Sequence, residues 1–402
     1  SKTNKYFAAI VDVNGQTGLA FADVSTGEFL LQNLPHSEAH AALQRLAPSE
    51  IICPDPSQLT PDLNAISSTH PAEFFESADG IAKLVSLFDI PEDDLTQKFS
   101  RAEMAAANAL LHYIDETQKG QIPYLSAPQR IESYKTVDFD PSTFRSLELV
   151  KTQSGDRHGS LIDLLDIAQT GAGSRMLQSR LLSPLRDVPE IVHRHDEIAT
   201  LIKHIDVTRT IRATLKSVPD MERALARLSL KRGGPRDLAA LRDGMHYAAL
   251  IRAALIERGL MSSSLQRCGI LLSLTDHQAE FKDRLGAALA ESLPLLARDG
   301  GFIASGFCPQ LDRLRSLKQE TQQHIAGLQT RYATMTGVET LKITHNNILG
   351  FFIEVPARRA DALMVKSGES ENPFIHRQTM ANAMRFTTPD LSNLERDIAV
   401  SA

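Results

Sequence analysis

The stretch Thr340-Leu-Lys-Ile-Thr-His345, followed by Leu349-Gly-Phe-Phe-Ile-Glu-Val-Pro356, alternates apolar and polar residues around Asn346-Asn347. Alternation at period two with a polar turn between the runs is typical of a β-hairpin. The residues before it, 310–332, carry apolar side chains three and four positions apart, which predicts a long helix. Helical spacing resumes at about Ile375 and continues to the end. The pattern predicts a small β-containing unit between two long helices.

Upstream of this unit the sequence is helical in pattern. Successive segments between residues 140 and 274 place apolar side chains three and four apart, and no strand-like alternation interrupts them. Pro189, Pro219 and Pro235 stand near the predicted helix starts, where the missing backbone N–H costs least. We therefore expect an all-α bundle or array.

The N-terminal third has a different pattern. Residues 6–11 and 18–22 predict two strands, and the Asn14-Gly15 pair between them is a turn signal. They are followed by an apolar run, a helical pattern, a short apolar run that ends at Pro54 and an Ala-rich helical segment. This order predicts a small α/β domain. Residues 120–128 have the proline and glycine content of a linker.

Composition restricts the class of protein. The chain has 402 residues, 42% of them hydrophobic and 23% charged, which is typical of a folded protein of several domains. Three widely spaced cysteines exclude a disulfide framework and fit a reducing compartment. No apolar run approaches the ~20 residues that a membrane span needs, and no secretory signal is visible at the start, so we expect a cytoplasmic protein.

The charge is unevenly distributed along the chain. The net charge is -6, but residues 1–130 carry 8 basic and 17 acidic side chains, so the remainder is net positive by 3. Residues 313–385 carry 10 Lys or Arg against 6 Asp or Glu. A polyanion would therefore bind near the C-terminal end.

Common catalytic motifs are absent from the sequence. It has no phosphate-binding loop of the form GxxxxGK[ST], no GxSxG and no HExxH. Neither the pair Asp156 and His158 nor the pair His193 and His195 has the i, i+4 spacing of two metal ligands on one helix face. We therefore predict no catalytic, cofactor-binding or metal-binding residues, and no enzymatic activity for this chain.

A metal nuclease of the ribonuclease-H type is the alternative from a different class. Asp12, Asp23 and Glu28 lie in the predicted α/β domain, and a two-metal site needs several converging carboxylates. Each of these residues also stands beside a predicted turn, where Asp commonly bonds its own backbone. Convergence of the three carboxylates would favour the nuclease.

The C-terminal hairpin is the better candidate site. Lys342 and Thr344 share one face of the predicted strand, while His345, Asn346 and Asn347 fall at the tip. Short polar donors with Lys and Arg on an exposed tip suit contacts to phosphate and sugar, which position a protein on DNA without reading sequence. A solvated turn would also be polar, so the residues alone leave both interpretations open.

Motifs along nearly the whole chain resemble the bacterial DNA mismatch repair family MutS. The motifs that carry the resemblance, in chain order, are Phe21-Ala-Asp-Val-Ser-Thr-Gly-Glu-Phe29, Gly159-Ser-Leu-Ile-Asp-Leu-Leu-Asp166, Pro184-Leu-Arg-Asp187, Asp220-Met-Glu-Arg-Ala-Leu-Ala-Arg227, Thr336-Gly-Val-Glu-Thr-Leu-Lys342, Ile353-Glu-Val355 and Arg377-Gln-Thr-Met-Ala-Asn-Ala-Met-Arg-Phe386. Each motif is modest alone, but their order and spacing together are specific.

The resemblance implies a multidomain fold with an α/β, ribonuclease-H-like connector followed by an all-α lever, or core, that carries an inserted β-containing clamp. The implied ranges are 1–128 for the connector, 129–322 for the first part of the core, 323–375 for the clamp and 376–402 for a returning core helix. The family's mismatch-reading and ATPase domains would lie outside these residues. A MutS homologue that naturally lacks the mismatch domain is a further alternative.

The implied function is that of the middle part of a MutS protein. This part would embrace duplex DNA non-specifically and relay conformational state between the mismatch-reading and ATPase domains. DNA contacts would come from two groups of residues: Lys342, His345, Asn346 and Asn347 at the clamp tip, and Arg377, Asn382 and Arg385 where the clamp rejoins the core. ATP and magnesium would serve only the intact protein, as would self-association through the ATPase domain. The family also implies contact with MutL through the connector, and a bacterial cytoplasmic location at the nucleoid during repair.

Overall fold

The computed structural model describes residues 3–132, 135–137, 139–262, 264–346, 348–364 and 373–401, with only the backbone at 58, 141, 262 and 397–401. The chain divides into two compact units, Ser1–Ala304 and Ser305–Ala402. In the described part of the chain, no helix is both long enough and apolar enough to cross a membrane.

The first unit begins with a mixed six-stranded sheet in the order β5-β4-β1-β2-β3-β6. Its strands are β1 (Phe7–Val13), β2 (Gln16–Asp23), β3 (Glu28–Leu34), β4 (Glu50–Cys53), β5 (Ser67–Thr69) and β6 (Gln129–Arg130). Strands β1, β2 and β3 pair antiparallel, whereas β4, β5 and β6 join by parallel pairing. The predicted strands and the predicted turn are confirmed, since Asn14 and Gly15 have φ angles of 53° and 79°.

Helices cover both faces of this sheet. They are α1 (His36–Leu46), α2 (Pro61–Asn64), α3 (Ser77–Phe88), α4 (Glu92–Lys98) and α5 (Arg101–Thr117). Alternate strand residues face opposite layers: Ala9 and Val11 pack with α3 and α5, while Ala8 and Ile10 pack with α1. The sheet is therefore buried on both sides, and the predicted α/β domain is confirmed.

Helix α5 packs very close to strand β2. A Cβ added to Gly18 would lie 2.0 Å from the carbonyl oxygen of Ala102, so only glycine fits at this crossing. The helix starts with a capping box in which Ser100 and Glu103 exchange backbone and side-chain hydrogen bonds. Glu103, with a fully buried side chain, also accepts hydrogen bonds of 3.0 and 2.9 Å from Arg130 on β6. One carboxylate thus joins the helix start to the edge strand.

The predicted linker packs on the sheet domain. Leu125 is 5% exposed and lies in the core between the sheet and α5. Ser126 donates hydrogen bonds from its backbone N–H and its hydroxyl to the carbonyl oxygen of Gly27, each 2.7 Å long. The chain then enters β6, one residue beyond the implied end of the connector.

The rest of the first unit is helical, as predicted. Its helices are α6 (Pro141–Ser146), α7 (Leu161–Leu165), α8 (Gly171–Leu182), α9 (Val188–Lys203), α10 (Ile205–Leu215), α11 (Met221–Ser229), α12 (Pro235–Glu257), α13 (Gln266–Leu271) and α14 (Asp276–Ala288). Pro189 lies in the first turn of α9 and Pro235 begins α12, which confirms two of the predicted helix starts. Helix α12 is central, packing with α10 through Leu255 and with α14 through Met245.

A buried arginine joins two of these helices. Arg175 of α8, 5% exposed, donates hydrogen bonds of 2.8 and 2.9 Å to Asp220 and of 2.7 Å to Glu222 at the start of α11. The guanidinium of Arg175 holds the pKa of Asp220 below its usual value, against the opposing effect of burial. The helical part also touches the sheet domain, where Ser229 accepts a hydrogen bond of 2.8 Å from the N–H of Tyr124.

The second unit contains a long helix, a four-stranded antiparallel sheet and a final helix. Its elements are α15 (Pro309–Thr336), β7 (Lys342–Asn346), β8 (Gly350–Pro356), β9 (Ile375–Thr379), β10 (Ala383–Thr387) and α16 (Pro389–Ser401). The predicted long helix and the predicted hairpin are confirmed as α15 and as β7 with β8. The implied boundaries after 322 and 375 fall within α15 and β9, and the four implied domain ranges stay predictions.

The prediction of helix from Ile375 onward is wrong for residues 375–387 and is confirmed only for α16. Residues 375–387 form a second hairpin, and β10 pairs with β8, which gives the strand order β7-β8-β10-β9. Helix starts only at Pro389. The four-residue spacing of Met380 and Met384 is also that of one helix face, but Met384 and Phe386 pack in the same core as Ile353 and Val355 of β8.

The core of this unit lies between one face of the sheet and the two helices. Ile353, Val355 and Phe386 pack there against Leu328 and Leu391. Tyr332, fully buried, bonds Thr388 at 2.9 Å and donates to Asp390 at 3.1 Å, and burial raises the pKa of its hydroxyl. The opposite face, called the open face below, carries the exposed or half-buried residues Lys342, Glu354, Gln378 and Arg385 together with Phe352, which is 3% exposed.

Candidate nucleic-acid interface

Four polar residues form a row across the open face of the second sheet. In the strand register Lys342 lies opposite Glu354, Glu354 opposite Arg385, and Arg385 opposite Gln378. Because neighbouring strands lie about 4.8 Å apart, residues directly opposite each other are within side-chain contact. The row brings together residues from four strands, including two cations of the predicted DNA site.

Arg385 is held in this row by three contacts. Its Nε donates to Glu354 Oε2 at 2.9 Å, and its Nη1 donates to Gln378 Oε1 at 3.1 Å. Its guanidinium lies 4.6 Å from the centre of the Phe352 ring, a cation–π contact. Among the described residues no partner is found for Nη2. The guanidinium is therefore fixed in place with donor capacity left for a ligand.

Lys342 is exposed, and Ile343 turns to the core as predicted. However, Lys342 begins β7 whereas the tip follows Asn346, so at about 3.3 Å per residue the two are roughly 13 Å apart. The prediction that Lys342 lies at the tip is wrong. It lies at the opposite end of β7, in the row with Arg385.

The tip itself is built by Asn346. Its side-chain Oδ1 accepts hydrogen bonds from the N–H groups of Ile348 at 3.0 Å and Leu349 at 2.8 Å, which shape the turn. His345 is exposed, and its ring meets Phe351 edge-on at 4.8 Å. Asn347 lies outside the described residues. Asn346 thus has a structural task that the sequence prediction did not assign.

The remaining predicted residues belong to the second hairpin. Arg377 is exposed on β9 at a β-bulge, since Gln378 opposes Arg385 and His376 opposes Phe386. Asn382 is exposed in the turn between β9 and β10, and its carbonyl oxygen accepts from the N–H of Ala357 at 3.1 Å. This turn lies at the end of the sheet opposite the Asn346 tip, so the predicted residues do not form one cluster.

Comparison with known families identifies the chain. The family model described as MutS domain II matches residues 5–126, and the one described as MutS domain III matches residues 142–394. The chain belongs to the MutS family. The domain II match covers most of the first sheet and its helices, and the domain III match runs from α6 into α16, including both hairpins.

Curated MutS-family relatives match over nearly the whole chain. The DNA mismatch repair protein MutS of Nitrobacter winogradskyi is 42% identical over 410 residues, covering 99% of this chain and 46% of that protein. The protein of the same name from Rhizobium meliloti is 43% identical over 391 residues, covering 96% of this chain and 42% of that protein. The chain therefore spans a little under half the length of these relatives.

Three side chains at this interface were missed as site residues. Glu354 and Gln378 hold Arg385, and Phe352 supports its guanidinium. Period-two alternation could have placed Glu354 on the face of Arg385 only if residues 375–387 had been recognised as strands. Arg358 and Arg359 are exposed in a 3₁₀ turn, Ala357–Ala362, beside Asn382.

Each of the three carboxylates of the nuclease alternative makes hydrogen bonds or an ion pair within the sheet domain. Asp12 pairs with His36 at 3.0 Å and accepts from Thr17, and Asp23 accepts from the N–H groups of Lys5 and Ser25. Within the described ranges no group of three or more His, Cys, Asp or Glu is arranged to hold a metal ion. These contacts give no support to a two-metal site.

Glu28 lies in a partly buried hydrogen-bond network. It accepts from the Tyr6 hydroxyl at 2.6 Å and from the Asn4 amide at 2.8 Å. Burial raises the pKa of Glu28 above its usual value, and burial also raises the pKa of Tyr6. The network joins the start of the chain to β3.

Proposed function

We propose that the sheet of the second unit contacts the backbone of duplex DNA through its open face, without sequence or mismatch preference. The observation that carries the proposal is the row in which Lys342 and Arg385, 43 positions apart in sequence, lie either side of Glu354. Arg385 presents a guanidinium already fixed by its neighbours, which suits the bidentate recognition of phosphate. His345, Asn346, Asn347, Arg377 and Asn382 complete the proposed contact set from outside this row, with His345 on the other face of β7 beside Phe351.

The sheet domain supports the proposal of a connector with ribonuclease-H-like topology. Three antiparallel strands, β1 to β3, are followed by β4 and β5 in parallel beside β1. We assign it the range 1–128, the core 129–322 and 376–402, and the clamp 323–375. In the intact protein the clamp would embrace DNA, and the core would relay conformational state between the mismatch-reading and ATPase domains.

The partners and location of the intact protein are also proposals. They are MutL through the connector, self-association through the ATPase domain, ATP with magnesium at that domain, and a cytoplasmic, nucleoid-associated location. The relatives' name, DNA mismatch repair protein MutS, supports the DNA part of this proposal most directly.

The test is the salt dependence of DNA binding by the whole 402-residue chain, measured by fluorescence anisotropy with matched and G·T duplexes. With about two to four phosphate contacts, log K should fall against log salt with a slope of about -2 to -4. Lys342→Ala should reduce the slope by about one unit, equally for both duplexes.

Lys318→Ala is the matched control. Lys318 is exposed on α15, 18 residues before the helix ends at Thr336, so at about 1.5 Å per residue it lies roughly 27 Å from the sheet end of that helix. Lys318→Ala removes the same charge as Lys342→Ala and should leave the salt slope unchanged. Strong preference for the G·T duplex, or a Lys342→Ala slope equal to that of the parent chain, would contradict the proposal.

A further inference from the structure

We propose that Glu354 is a built-in competitor for phosphate, which keeps DNA binding by the open face weak and readily reversible. The inference rests on the proposed function and assigns Glu354 a regulatory role at that same site. Its basis is the position of one carboxylate between two cations in the row Lys342, Glu354 and Arg385.

The carboxylate occupies the place that a phosphate oxygen would take. Glu354 Oε2 accepts from Arg385 Nε at 2.9 Å, and the side chain of Glu354 is 38% exposed, so it can exchange with solvent and with ligands. A phosphate that binds Arg385 through the same edge must displace Glu354 or share the guanidinium with it. Because Lys342 lies directly opposite Glu354, the same carboxylate also lowers the positive potential at Lys342.

Arg385 does not depend on Glu354 for its position. The hydrogen bond from Nη1 to Gln378 at 3.1 Å and the cation–π contact with Phe352 at 4.6 Å remain when the carboxylate is neutralised. A glutamine at position 354 could still accept from Nε through its amide oxygen. Neutralising Glu354 should therefore raise the charge of the row from +1 to +2 without moving the guanidinium.

The expected effect is one additional phosphate neutralised. Glu354→Gln should steepen the log–log salt slope by about 0.9, which corresponds to roughly five- to tenfold tighter binding near 0.1 M salt. The gain should be equal for matched and G·T duplexes, because a phosphate contact carries no base information.

The experiment compares the 402-residue chain with Glu354→Gln and with Glu320→Gln by anisotropy across a salt series, using a matched DNA duplex as the probe. Glu320 is exposed on α15, so its variant changes the net charge equally without touching the sheet. Circular dichroism melts check that each variant is folded. We expect tighter binding and a steeper slope for Glu354→Gln only.

A second comparison separates local competition from general charge. In the Lys342→Ala, Arg385→Ala background, Glu354→Gln should lose most of its gain, because the cations it releases are gone. Equal binding by the parent chain and Glu354→Gln, with the parent still sensitive to Lys342→Ala, would overturn this inference and leave the proposed function standing. Absence of binding by all folded variants at low salt would overturn both.

Discussion

Arg130→Met removes the ionic partner of Glu103, whose side chain is fully buried. The arginine donates two hydrogen bonds, of 3.0 and 2.9 Å, to a carboxylate that also accepts a bond of 2.7 Å from the Ser100 N–H. Methionine keeps the apolar stem of the side chain but leaves a charge buried without a counterion. We expect the variant to be destabilised through this buried charge and not through lost packing.

The magnitude follows from the burial of the pair. Removing one partner of a fully buried ion pair costs about 3–5 kcal/mol. Arg130 is 36% exposed and the bond from Ser100 remains, so we expect a loss of about 2–4 kcal/mol. Glu103→Gln combined with Arg130→Met leaves no buried charge and keeps the helix cap, so the double variant should recover most of the loss.

The assay is urea unfolding at pH 7.5 together with hydrogen–deuterium exchange of peptides from α5. Faster exchange in α5 would place the loss at the joint between the helix and β6. A loss of stability below about 1 kcal/mol, or a double variant less stable than Arg130→Met alone, would show that Glu103 does not need its counterion.

Two further predictions concern Gly80 and Glu28 of the sheet domain. Gly80→Ala on α3 should lower the free energy of unfolding by about 1–3 kcal/mol, because its Cβ would lie 2.3 Å from the Met104 carbonyl oxygen of α5. In the control Gly286→Ala on α14 the new Cβ meets nothing within 4 Å, so the free energy of unfolding should rise by about 0.5–1 kcal/mol. Equal effects of the two substitutions in urea unfolding would refute this reasoning. Glu28→Gln should become more stable relative to the parent as the pH rises from about 4 to 7. Because the pKa of Glu28 is raised by folding, the folded parent keeps this proton through a pH range where the unfolded parent has lost it, and the parent loses stability across that range. The glutamine variant has no such proton and no such loss. Parallel pH profiles of the urea midpoint for the two proteins would contradict that prediction.

Local patterns predicted those elements whose partners are near in sequence. The hairpin of β1 and β2 follows from two apolar runs and an Asn-Gly turn, and α15 follows from the spacing of its leucines. The hairpin of β9 and β10 was not predicted, because Met380 and Met384 are also spaced like one helix face. What decides this segment is its pairing with β8, almost 30 residues away, which no local pattern contains.

In the candidate site, too, features set by local sequence were predicted and features set by distant strand pairing were not. Period two placed Lys342 and Thr344 on one face correctly, since β7 needs only its own sequence for that alternation. The contact between Glu354 and Arg385 depends on the pairing of β8 with β10, so it could not be read from either strand alone. The turn-forming role of Asn346 was open to prediction, because Asn side chains commonly bond the backbone two residues on.

Tyr332 makes a mechanical joint at the base of the second sheet. Its single hydroxyl bonds Thr388 and Asp390, the residues through which the chain passes from β10 into α16, and Arg331 reaches Asp390 at 3.2 Å. A rotation of α15 is therefore transmitted to α16 through these direct side-chain contacts. Because this junction is stiff, the end of α15, the sheet and the start of α16 move together as one rigid body.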